Sequence, residues 1–163
     1  MRIRKSVRLL LGFPLICLVL VAALAGEAAQ RKQRFVVDAK GLTVTDTRTG
    51  LVWQRDGSGP RPNCAHSPFC TWAEAVAYCS GLALDGPGWR LPTRDELESI
   101  LNKRASGPAI DKKAFPDTPE DWFWTSSPYR GRSAQAWVVF FTPGGEPSHV
   151  GVNVSIPRVR CVR

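Results

Sequence analysis

Sulfur and imidazole carry most of the chemical possibilities in this chain, which holds five cysteines and two histidines in 163 residues. Cys17 lies in an apolar N-terminal run; Cys64, Cys70, Cys79 and Cys161 follow it. Cys64, His66 and Cys70 are close enough in sequence to be weighed as metal ligands. A structural zinc site takes four such ligands, and this Gly- and Pro-rich stretch offers three. Disulfide bonding is the better use of the sulfur, and four cysteines allow three connectivities. The short spacer Ala65-His66-Ser67-Pro68-Phe69 lets Cys64 pair locally with Cys70, which leaves Cys79 for Cys161. His66 and His149 are the only imidazoles, and neither stands in a pattern that would activate a serine.

Oxygen ligands and aromatic rings supply the remaining candidates. Asp111, Asp117, Glu120 and Asp121 form an acidic stretch that could hold calcium. That ion takes about six to eight oxygen ligands, so several carboxylates would have to converge. Solvated loop charge is the plainer reading, and no cofactor is assigned. Trp122 and Tyr129 fall near a strand end or loop with Arg130 and Arg132, and Glu146 and His149 follow in a second loop region. A ring can stack on a sugar face while arginines grip anionic groups through paired N–H donors. These six residues are the candidate ligand contacts. The tryptophans at 53, 72, 89, 124 and 137 sit in periodic or motif positions and are expected in the core.

The elements that must position these groups begin after an address. Arg2, Arg4, Lys5 and Arg8 precede the apolar run Leu9 to Leu24, and small residues at Ala23-Leu24-Ala25 offer a cleavage site. Residues 1–25 thus read as a signal peptide, with membrane contact limited to export. The destination is periplasmic or extracellular, which suits disulfides. The whole chain has 22 basic and 14 acidic residues; without residues 1–25 the balance is 18 against 14, or +4. That balance lacks the dense basic stripe of a nucleic-acid binder. Residues 26–34 read as a mobile leader and residues 35–163 as one domain with a core of its own.

Within that domain, Phe35 to Val37, Leu42 to Asp46 and Leu51 to Gln54 read as strands. The last two make a hairpin through Thr47-Arg48-Thr49-Gly50, with Leu51 and Trp53 on one face. Asp56 to Pro68 reads as a loop. Thr71 with Glu74, and Thr93 with Glu96, are capping boxes that start two helices. The first turns Trp72, Ala75, Val76, Cys79 and Leu82 inward; the second buries Leu97, Ile100 and Leu101. Arg90, between Trp89 and Leu91, is expected half-buried and paired to a carboxylate or to carbonyls. Residues 103–118 read as a long loop and Trp122 to Ser126 as a strand. Ala136 to Phe141, apolar throughout, reads as a strand covered on both faces. Val150 to Val154 and Arg158 to Arg163 complete the set, with Arg158 and Arg160 pointing outward if Cys161 points in. The fold class is α+β: two helices packed on a twisted, mainly antiparallel sheet with long loops.

The order of several short motifs resembles the Lcl C-terminal domain family of secreted bacterial proteins. The matching stretches are Thr49 to Arg55, Thr71 to Ala75 with Cys79, and Trp89 to Thr93. They continue in Phe123 to Ser127, Ala136 to Phe140 and Val159 to Val162. The resemblance implies a C-type-lectin-like fold, in which a first-helix cysteine pairs with one on the last strand, here Cys79 with Cys161. It implies a secreted binding module for a glycan or a surface protein, acting through residues 111–132 and 142–150. Arg90 to Thr93 also resembles the sulfatase-modifying (formylglycine-generating) enzymes, which would need a reactive cysteine pair. The calcium motif of sugar-binding C-type lectins is matched only faintly, by Glu146-Pro147-Ser148.

Overall fold

Short alternating runs separated by turn residues fold as antiparallel strands when one face can be buried. Three such runs open the domain in the computed structural model, which describes residues 33–56 and 69–163. The expected signal peptide, the leader as far as residue 32, and the loop residues 57–68 with Cys64 and His66 lie outside the described residues. Strands β1 (Phe35–Val37), β2 (Thr43–Asp46) and β3 (Val52–Gln54) pair in that order, all antiparallel. The β2–β3 turn closes on the Asp46 carbonyl, which accepts from Thr49 and Gly50 at 3.2 and 2.8 Å. Gly50 takes a φ of 76° there, a conformation that side chains resist. Val44 faces Trp53 across the sheet, both fully buried, and Leu51 packs on the same cluster.

Both capping boxes form as expected. Thr71 caps helix α1 (Trp72–Ser80) and Thr93 caps helix α2 (Arg94–Ser99), each exchanging hydrogen bonds with the glutamate three residues on. Leu97 and Ile100 are buried and Leu101 packs beside them. In α1 the inward stripe is Ala75, Tyr78 and Cys79, whereas Val76 is exposed, contrary to expectation. Tyr78 takes the inward place because its hydroxyl is satisfied there by the Gln54 amide, at 2.9 Å. Arg90 is paired as expected, both terminal nitrogens of its guanidinium meeting the Glu96 carboxylate at 2.6 and 2.8 Å, but it is exposed rather than half-buried, because the pair lies on the outer side of the α2 start.

The second half of the chain builds its own sheet, so the α+β fold contains two three-stranded antiparallel sheets where one sheet was expected. Strands β4 (Trp122–Tyr129), β5 (Arg132–Phe140) and β6 (Pro147–Gly151) pair in order. β4 runs three residues beyond the expected strand, and β6 begins earlier and stops sooner than Val150 to Val154. The doubly covered strand is borne out: adjacent Val138 and Val139 are both fully buried, in different core clusters. Part of the expected 103–118 loop belongs to the core. Ala109, Ile110, Ala114 and Phe115 are buried, and the Phe115 ring meets Phe35 edge-on at 5.3 Å.

Arg158–Arg163 is the seam between the sheets. It forms isolated bridges rather than the continuous strand expected. Val162 exchanges two hydrogen bonds with Arg90, at 2.8 and 2.9 Å, while Val52 exchanges two with Arg163. Arg158 does the same with β4 through Trp122 and Trp124. Arg160 overturns the expectation that it points outward: it is fully buried. Its guanidinium donates to the carbonyls of Gln54 and Arg55 at 3.3 and 3.2 Å and to the Thr118 hydroxyl at 2.6 Å. The Phe115 ring lies 4.7 Å away. Bridged rather than regularly pleated backbone frees residue 160 from strict alternation, and the carbonyls and π faces offset desolvation of its charge.

Cys79 is bonded to Cys161, tying α1 to this seam across a sequence separation of 82. Cys70 is also disulfide-bonded; Cys64, its expected partner, lies outside the described residues. Replacing Cys79 and Cys161 together by serine is expected to cost about 4–5 kcal/mol by the chain-entropy argument. Urea denaturation of the double variant beside the parent measures that loss.

The Arg90–Glu96 fork adds a pH dependence. Hydrogen bonds from Arg90 hold the Glu96 carboxyl below its ordinary range, and backbone N–H donors, Thr43 foremost, do the same for Asp38. A carboxylate depressed in the folded state binds fewer protons there than when unfolded. Its contribution is therefore complete above the ordinary carboxylate range and fades as pH falls through the depressed value. Thermal melts should show stability dropping on acidification below that range, with a shallower drop in Glu96→Gln. An identical slope in both proteins would contradict the assignment.

Candidate functional site

A two-residue hairpin of type I′ matches strand twist by taking positive φ at both central positions. Arg130 and Gly131 supply φ values of 45° and 71° between β4 and β5. That turn sets Tyr129 opposite Arg132, while a register shift between Trp124 and Pro128 gives β4 extra residues opposite Trp137. The irregular stretch is pinned to the chain before α2. The Ser126 N–H donates to the Pro92 carbonyl at 2.7 Å, and the Arg94 N–H to the Ser127 hydroxyl at 3.0 Å.

A cluster of rings and cations results on one face. His149 lies directly across from Trp137 in the β5–β6 register, so their side chains share a face. The imidazole stacks on Tyr129 with ring centres 3.6 Å apart and planes 5° from parallel. Trp137 meets Tyr129 edge-on at 4.9 Å and His149 at 6.2 Å. The Arg94 guanidinium, ion-paired to Glu98, lies 4.3 Å from the centre of the Trp137 ring. Arg130 stands 5.2 Å from the centre of Tyr129.

Of the six candidate contacts, the structure brings together Tyr129, Arg130 and His149, with Arg132 exposed on the strand opposite Tyr129. Trp122 and Glu146 belong to the other end of the sheet. Trp122 pairs with Phe140 and stacks on it at 4.4 Å, and the exposed Glu146 precedes Pro147, which faces Val139. Two members of the cluster were not anticipated. Trp137, expected in the core, is only partly buried, and Arg94, the residue after the Thr93 cap, is not among the six candidates. The signal for Trp137 was its place two residues before Val139, on the same face of β5 but beyond the main core. The other tryptophans follow expectation: Trp53, Trp89 and Trp124 are buried, and Trp72 packs at the edge of a core cluster.

The acidic stretch is used locally. Asp121 holds Arg158 at 2.8 Å, and Asp111 accepts from the N–H groups of Lys113 and Ala114. Among the described residues no group of three or more His, Cys, Asp or Glu side chains is placed to hold a metal ion. The three described cysteines are all disulfide-bonded. What the cluster offers chemically is a stacked π surface edged by guanidinium groups.

The family can now be stated. The chain belongs to the Lcl C-terminal domain family, whose model matches residues 42–163. That span runs from the start of the β2–β3 hairpin to the seam and includes every residue of the ring cluster. No curated protein and no solved structure matches the chain.

Trp137 and Trp124 should respond differently to truncation. Trp124 is fully buried and donates to the Cys70 carbonyl at 2.8 Å, so Trp124→Ala is expected to lose about 3–5 kcal/mol. For partly exposed Trp137 the expected loss is under about 1.5 kcal/mol, chiefly ring and cation contacts. Urea midpoints of the two variants decide this; a larger loss at Trp137 would return it to the core.

Proposed function

We propose that this domain is an exported, non-catalytic binding module of C-type-lectin-like build. It holds a glycan at the end of the second sheet that carries Tyr129, Arg130, Arg132 and His149. The carrying observation is the Tyr129–His149 stack edged by Arg130, since flat rings match the apolar face of a pyranose and guanidinium groups match its acidic substituents. Export is supported by the Cys79–Cys161 bond, which is compatible with an oxidising compartment, and by the signal-like N-terminal sequence. A sulfatase-modifying type of reaction would draw on free sulfur, and Cys70, Cys79 and Cys161 are bonded.

The mature domain should retain glycans on an array at low salt, less so at moderate salt as the guanidinium contribution is screened. Tyr129→Ala is expected to weaken retention about ten-fold, equivalent to about 1.4 kcal/mol. Val76→Ala, at an exposed position on α1, should bind as the parent does. An empty array together with a captured envelope protein in a pull-down would replace the glycan by a protein partner; no binder in either experiment would overturn the reading.

A further inference from the structure

Imidazole is the side chain whose ordinary range lets it change charge between about pH 5 and 8. In this domain one of them stands inside the ring cluster. His149 lies flat on Tyr129 and edge-on to Trp137, so it forms part of the surface that a ligand would meet. The charged groups of the surrounding elements are few. They are Arg130 at the hairpin tip, Arg132 on β5, and Arg94, Asp95, Glu96 and Glu98 on α2; β6 itself carries no other ionisable side chain. Of the carboxylates, Glu96 is held by Arg90 and Glu98 by Arg94, and Asp95 is exposed.

We propose that His149 makes the hold of this patch on acidic ligands pH-dependent, by adding a positive charge to the ring cluster that Arg130 edges when the surroundings acidify. The inference rests on the binding role assigned above and extends it to regulation. Two effects oppose each other on protonation. Arg130 repels a second cation, while the π faces of Tyr129 and Trp137 attract one. The rings are in contact at 3.6 Å and 6.2 Å between centres, whereas the Arg130 guanidinium is exposed to solvent that screens it. An acidic ligand on this patch then meets an imidazolium as well as the guanidinium groups.

The test uses dextran sulfate as an anionic probe and unsubstituted dextran as its neutral counterpart, both with the whole mature domain at fixed low ionic strength. Dextran sulfate should bind about five-fold more tightly at about pH 5 than at about pH 8, the scale of one added charge contact in water. Dextran should show no such gain. His149→Gln should bind dextran sulfate with a flat profile, and His149→Arg should bind at the higher pH as the parent binds at the lower. His66→Gln should keep the parent's slope, which separates the two histidines. A slope unchanged by His149→Gln, or carried instead by His66, overturns the proposal while leaving the binding role intact. Failure of dextran sulfate to bind at any pH, together with an empty glycan array, removes the role and the proposal together.

Discussion

The hydrogen-bonded seam at Arg158–Arg163 is the constraint on which the rest of the structure depends. Each three-stranded sheet is small and must bury its apolar face against another element. The seam joins β3 through Gln54 and Val52, the start of the α2 segment through Arg90, and β4 through Trp122 and Trp124. The Gln54 amide ties it further, donating to Tyr78 on α1 and accepting from the Cys161 N–H. The disulfide to Cys79 fixes covalently the approach that these hydrogen bonds define. Arg160 belongs to the same knot: a buried cation with several donors must be met by acceptors from specific elements, so it sets where β3 and the Thr118 turn lie.

This arrangement divides labour along β5. At its C-terminal half the strand is covered on both faces by the two core clusters, through Val138 and Val139. Toward the hairpin tip the cover runs out, and Trp137, still on the Val139 face, meets Arg94, His149 and Tyr129 instead of aliphatic side chains. The ring cluster is therefore a continuation of the core's own side-chain ladder into solvent. Rigid strands hold it in place, and the side chains at its rim can vary at little cost to the interior.

Local signals in the sequence carried much of this. The capping boxes Thr71–Glu74 and Thr93–Glu96, the Gly50 turn, the doubly apolar β5 and the pairing of Arg90 could all be read from residues within a few positions of one another. The pairing of Cys79 with Cys161 also follows, once Cys64 and Cys70 are set aside as neighbours. What escaped reading is non-local. Nothing near Arg160 announces that the carbonyls of Gln54 and Arg55, more than a hundred positions earlier, will be there to receive it. Tyr78 displaced Val76 from the inward stripe for the same reason, since the Gln54 amide that satisfies its hydroxyl comes from another element. The site was half legible: Tyr129, Arg130 and His149 stood out by type, but the β4 irregularity that brings Trp137 and Arg94 to them has no sequence signature.

The position of the seam in the chain also bears on how the protein is made. Its hydrogen bonds to β3 join residues more than a hundred places apart, and it follows every other core element in order of synthesis. Contacts of that span must overcome a large loop-closure entropy before they return any stability, which slows folding. Until residues 158–163 dock, their hydrogen bonds to β3, to Arg90 and to β4 are missing together. Completion of the interior thus waits on the docking of the core element that comes last in chain order.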